Sequence, residues 1–205
     1  MINTFLKAKH WHLFVLTFVL PFIFSFGFMA MIIVNAAGME NGNPDPEMVF
    51  GGMKYMFIFF LPLSLLVYGW IWSVTVGLNL KIDEAYRPKL GKFKLAFYTV
   101  FCVMILIFVG GFVLFSNISA IASYTSVGSI IGFGVLMLLN VLIIICTVYI
   151  YAMTAKTIKT IDIKREAFVG DYIGEFFLIC FFPIGIWFLQ PMINKAFNET
   201  DEFVS

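Results

Sequence analysis

The sequence predicts an all-α integral membrane protein: a bundle of four transmembrane helices plus a fifth, proline-broken segment that either spans or re-enters. Three observations predict it. Hydrophobic residues make up 61% of the 205-residue chain and charged residues 12%, about half the charged share of an ordinary soluble domain. The charges are segregated, leaving charge-free runs at residues 13–39, 55–80, 95–155 and 176–194. Finally, the linkers between these runs alternate between basic and non-basic, as the two sides of a membrane require.

A hydrocarbon core about 30 Å thick needs about 20 apolar residues at 1.5 Å per residue, so each of the first two runs is one crossing. Helices are expected near 12–36 and 55–80. The third run would make a helix of about 90 Å if unbroken. Its middle, residues 116–129, collects Ser, Asn, Thr and Gly, the residues of a surface turn. It therefore divides into helices near 95–115 and 128–154. Barrel strands would alternate with a period of two, and FIFSFGFMAMIIV does not. No soluble domain or internal repeat is visible, so residues 1–205 form a single membrane domain.

The last helix is expected near 172–193. Pro183, with Gly185 close behind, invites a break at mid-depth, and Pro191 is expected to end the helix near Leu189 or Gln190. A kinked crossing is favoured over a re-entrant hairpin, because a broken segment in hydrocarbon needs other helices to cover its freed carbonyls.

Lys81, Arg87, Lys89, Lys92 and Lys94 crowd one linker, and Lys156, Lys159, Lys164 and Arg165 another. Both should be cytoplasmic, and with Lys7 and Lys9 the N-terminus should be as well. The residue 116–129 turn has no Lys or Arg, and the first loop carries Glu40, Asp45 and Glu47. These two face outside. Residues 34–36 could pass for a signal-peptidase site, but the apolar stretch far exceeds the 7–15 residues of a signal h-region, so the first helix is expected to be retained.

His10 and His12 flank Trp11 where the first helix begins. At i and i+2 the two imidazoles point to different sides, so an interfacial anchor is expected and a metal pair is not. Asp171 and Glu175 lie one turn apart and are the candidates for an ion or proton site, since carboxylates within a membrane often mark such a path. The competing structural reading, wet acids at a helix N-terminus, is preferred. Gly170 and Gly174 share their register.

Gly128 and Gly132 form a GxxxG pattern, a weak signal of helix packing, and Asn140, near mid-helix, should face protein. Tyr68, Gly69, Trp70, Trp72, Ser73, Thr75 and Asn79 make half of the second helix polar and aromatic, as expected for a helix interface or a substrate cleft. Cys102, Cys146 and Cys180 read as small buried apolar residues. The stretch 156–165 reads as a short helix on an anionic leaflet.

There is no Walker loop, no G-x-S-x-G elbow, no H-E-x-x-H pair and no His/Cys cluster, so no catalytic residue, metal or cofactor is expected. A net charge of +1 supports no nucleic-acid surface. The blocks FLKAKHWHLF, AKTIKTIDIKREAF and GEFFLICFFPIGIWFLQPMIN resemble a group of small uncharacterised multi-pass membrane proteins of bacteria. That resemblance implies a bacterial inner (plasma) membrane and transfers no site residue.

The expectation is a non-enzymatic protein whose partners are the lipid bilayer and other membrane subunits or further copies of itself. Two rivals are a small channel or transporter using Asp171, Glu175 and the Pro183 break, and a membrane-embedded enzyme acting on lipid.

Overall fold

A computed structural model describes residues 2–37, 46–116 and 127–202. The acidic first loop and the core of the Ser/Asn/Thr/Gly turn lie outside these residues. Among the described residues every regular element is helical. The short α1 (Ile2–Leu6) precedes α2 (His10–Phe14), which passes through a π-helical turn, Val15–Val19, into α3 (Leu20–Ala37). Then come α4 (Pro46–Asn79), α5 (Gly91–Ser116), α6 (Val127–Ile163), α7 (Val169–Cys180) and α8 (Phe182–Glu202). Four stretches are long and apolar enough to cross a membrane: His10–Val34, Gly52–Asn79, Gly91–Val113 and Gly134–Ile163.

The π turn has a cause in the sequence. Pro21 has no N–H to offer the Thr17 carbonyl, and its ring crowds that carbonyl. Widening the preceding turn relieves the clash, and the Leu20 N–H bonds the Val15 carbonyl five residues back.

α6 does not stop at residue 154. It continues to Ile163, so the stretch expected to be a separate surface helix is instead the end of a helix long and apolar enough to cross a membrane. Its polar residues explain the continuation. The Thr154 hydroxyl donates to the Ile150 carbonyl at 2.9 Å and that of Thr157 to the Met153 carbonyl at 2.8 Å, so both sit in a helix with their donors satisfied. Thr154, Ala155, Thr157, Ile158 and Thr160 are all buried.

The core is confined to one end of the bundle. Trp70, Ile71, Val74 and Leu78 of α4 meet Phe93 and Phe97 of α5 and Ile150 and Ile158 of α6, all near the two basic linkers. Towards the opposite end the helices touch through rings such as Phe24 and Phe59 but leave many apolar side chains outward: Ile23 is 66% exposed, Val34 71%, Leu138 72% and Ile144 61%. In water each such side chain would forgo about 1.5–3 kcal/mol of burial, so this surface suits hydrocarbon. The same asymmetry corrects the cysteines. Cys102 and Cys180 are exposed, and Cys146 is half-buried where it packs against the core cluster.

α7 and α8 are separated by Phe181, whose ψ of 51° leaves the helical range. The break falls before Pro183, which then occupies the first turn of α8, where a missing N–H costs nothing. Gly185 closes the joint, since a Cβ added there would strike the Leu178 carbonyl. Pro191 does not end the helix as expected: α8 runs through it to Glu202. Buried Leu189, Gln190, Ile193 and Phe197 hold the helix together across the lost hydrogen bond.

The path of this pair is set by its contacts. α7 starts beside the basic end of α6, where Glu175 meets Lys159. Phe182 then packs edge-on against Trp70, ring centroids 5.0 Å apart. From there α8 returns to the basic end, where Lys81 donates to the Phe197 carbonyl at 2.9 Å. Trp70 lies about 16 Å along α4 from Lys81, so the pair runs about that far along α4 before it turns back.

Candidate functional site at the basic end

The two acids singled out in the sequence have different partners. Asp171 stands in the first turn of α7, where its carboxylate accepts the Phe168 backbone N–H at 3.0 Å and pairs with Arg165 at 3.0 Å. The backbone N–H, followed by the guanidinium, holds the Asp171 carboxyl below the usual carboxylate range. One turn on, Glu175 is buried and lies 3.2 Å from the Lys159 ammonium. Lys159 also meets Asp162 at 3.1 Å, so one cation bridges two carboxylates. Chemically this is a neutralising arrangement, with the deeper acid already holding a counter-ion. On the rim, Lys156 meets Glu166 at 2.8 Å and holds its carboxyl low by that hydrogen bond and by charge.

Gly170 and Gly174 are exposed, and a Cβ on either would meet nothing within 4 Å, so no neighbour in this chain packs on them. α7 turns its buried face, with Glu175 and Ile179, away from them. Gly128 and Gly132 begin α6, and their surroundings lie outside the described residues. Asn140 faces outward, not into protein as expected, and its amide donates to the Leu136 carbonyl one turn back at 2.9 Å. That local bond meets part of the need that was expected to draw it to another helix.

At the start of the bundle, Trp11 is 47% exposed and lies tilted against His12, centroids 3.7 Å apart. His10 instead lies against Trp187 of α8 at 4.6 Å. The two imidazoles thus have separate aromatic partners.

Sequence reasoning missed Gln190 and Asn194, which tie this end together, whereas Tyr68, Trp70 and Thr75 belong to the stretch expected to form a helix interface or a cleft. The Gln190 amide donates to the Phe5 carbonyl at 2.9 Å and to the Asn194 side chain at 3.0 Å, while its oxygen accepts the Trp70 indole N–H at 2.8 Å. Asn194 donates in turn to the Ala8 carbonyl. A polar thread also joins α4 to α6: Tyr68 meets Thr147 at 3.2 Å, and Thr75 meets Thr154 at 2.8 Å. The one available signal was polarity where an apolar run predominates, which marks a residue that needs a partner without naming it.

Among the described residues, the buried Ser73 hydroxyl has no hydrogen-bond partner. No protein family, curated protein or solved structure matches this chain.

Proposed function

We propose that this chain is a non-enzymatic multi-pass membrane protein of a bacterial inner membrane, working through helix packing as an accessory subunit or a small homo-oligomer. The observation that carries this reading is the division of the bundle. One end is knitted by buried side chains, while the other halves of the crossing helices leave Ile23, Leu138 and Ile144 uncovered. Apolar helix faces left open by their own chain are surfaces that lipid or another helix can cover.

In this reading the basic end is cytoplasmic, following the Lys/Arg bias of the linkers. The α7–α8 pair then re-enters from the cytoplasm, and both termini lie inside. Its return to Lys81 supports re-entry over crossing, and the surrounding helices supply the cover that a broken segment needs.

A second reading, a small channel or transporter, is favoured by one feature: Glu175 and a broken helix lie close together, as in many ion sites. The pairing of Glu175 with Lys159 speaks against it. The test is proteoliposome flux beside in-membrane cross-linking. Wild-type proteoliposomes with an imposed proton or sodium gradient should leak no faster than empty ones, and a single cysteine at Leu138 should cross-link to a protein neighbour. Flux that requires Glu175 would sink the packing reading.

A further inference from the structure

Along α6 a polar side chain recurs at every seventh position, as Asn140, Thr147 and Thr154. Seven residues are about two turns of an α-helix, so the three share one seam. Two of them are answered by α4 at the same spacing: Thr147 meets Tyr68 at 3.2 Å, and Thr154 meets Thr75 at 2.8 Å. One step further this register reaches Leu61, which has no polar group to offer. Asn140 is exposed, and its amide donates to the Leu136 carbonyl of its own helix at 2.9 Å. Among the described residues its second N–H and its carbonyl oxygen meet no partner.

Asn140 stands about 20 Å along α6 from Val127 and about 24 Å from Lys156, the first charge on the helix. In a chain that packs within a membrane, an amide at that place lies in hydrocarbon, where a short side chain cannot reach water and an unmet polar group is costly. Among the described residues of the four stretches able to span, it is the single exposed Asn or Gln. Met137, Ile144 and Val148, all exposed, stand on the same side of the helix, so the amide is set in an outward apolar stripe.

We propose that α6 of a second copy of this chain lies along the stripe in parallel, the two Asn140 side chains bonded to each other across a two-fold axis. Each donates its second N–H to the carbonyl oxygen of the other. An amide is donor and acceptor at once, and is therefore self-complementary, as a contact between identical patches requires. Two copies inserted the same way also bring residue 140 to the same depth, whereas a different protein would need a polar group at that level independently. The apolar neighbours in the stripe then pack helix on helix.

This inference rests on the proposed packing role and selects self-association within it. The full chain, with Cys102, Cys146 and Cys180 replaced by Ala and with donor or acceptor fluorescent domains after Ser205, is reconstituted in liposomes, and energy transfer is followed as lipid dilutes the protein. N140L should associate about tenfold more weakly than the parent, while N140Q, which keeps the amide, should stay close to it. Melting curves should show N140L no less stable as a fold. Single cysteines at Met137 and Ile144 should form disulfides between copies on oxidation, whereas one at Leu142, on another side of α6, should not. N140L associating as tightly as the parent overturns the proposal, as does an equal disulfide yield at Leu142. A cysteine at Leu138 that cross-links in native membranes to a different protein, with no disulfide between copies at Met137 or Ile144, overturns the pairing and leaves the packing role standing. Absence of every cross-link removes both.

Discussion

The Trp70 indole N–H donates to the Gln190 side chain at 2.8 Å, joining residues 120 positions apart at a point where both are wholly buried. Through Gln190 the same junction reaches the backbone of Phe5, so the second crossing helix, the C-terminal helix and the N-terminus meet on one amide. An amide bonding on both its atoms cannot be replaced by an apolar side chain of similar size without leaving orphans.

Gln190→Leu should therefore cost about 1–3 kcal/mol, the penalty for stranding buried polar partners. The measurement is thermal or denaturant unfolding in detergent, beside limited proteolysis, which should cut α8 free sooner. Trp70→Phe removes one of these bonds. A double-mutant cycle between the two should return a coupling of about 0.5–1.5 kcal/mol, and additivity would show that the bond contributes nothing.

A different arithmetic governs Thr75 and Thr154. Their hydroxyls meet at 2.8 Å, and Thr154 also donates to the Ile150 carbonyl. Thr75→Val leaves Thr154 with that backbone partner, so its cost should stay near 1 kcal/mol. The double change T75V/T154V removes both polar groups and should be no worse than the single one. A double variant markedly less stable than either single would show that the pair is needed for more than mutual satisfaction.

For Asp171 the prediction is a pH dependence. Its folded carboxyl is held below the usual range, so its contribution to stability is present above the unfolded value and is lost as pH falls through the folded one. Asp171→Asn should melt earlier than wild type at neutral pH, and the gap should close as the medium is acidified past about pH 4. A gap unchanged in acid would mean that the charge at this helix start is immaterial.

The four long apolar helices were legible because a charge-free run of sufficient length and hydropathy is the pattern that a membrane span requires. Where side-chain partners decide, the same reading fails. Lys156 and Thr157 look like a linker, yet α6 continues through them because Thr157 bonds its own helix and Ile158 is buried. Pro191 looks like a stop, yet α8 passes it because Gln190 and Ile193 on either side are held in the core. In the candidate site, Asp171 was recognisable as an acid at a helix start. The partner of Glu175 was not, since Lys159 lies a full turn-back of the chain away and only the fold brings the two together.

Gly185 offers a test of the joint itself. The α7–α8 turn brings the Leu178 carbonyl against its Cα, where a methyl group has no room. The obstacle is backbone and cannot swing aside, so Gly185→Ala should cost at least the 1–3 kcal/mol typical of overpacking. Lower yield and an earlier melt are expected, whereas Gly174→Ala, facing open space, should be neutral or slightly stabilising. Equal melting of the two variants would mean that the joint is looser than its geometry indicates.

The pair Lys159 and Glu175 makes the last prediction, because its two halves are not equivalent. Neutralising Glu175 as Glu175→Gln leaves Lys159 still facing Asp162, so no charge is stranded and the cost should be about 1 kcal/mol or less. Removing the cation as Lys159→Met leaves Glu175, 8% exposed, without its counter-ion. Breaking a fully buried pair from one side costs about 3–5 kcal/mol, and this one, reached by some solvent from the lysine side, should cost about 1–3. Asp162 loses the same partner but is half exposed and rehydrates. The double variant K159M/E175L removes both charges from the interior and should regain most of what K159M loses, as apolar replacements of buried pairs commonly do. Unfolding in detergent at neutral pH measures all three. If E175Q proves as damaging as K159M, the carboxylate itself has a role beyond answering Lys159, and an ion or proton pathway through Glu175 becomes the better reading.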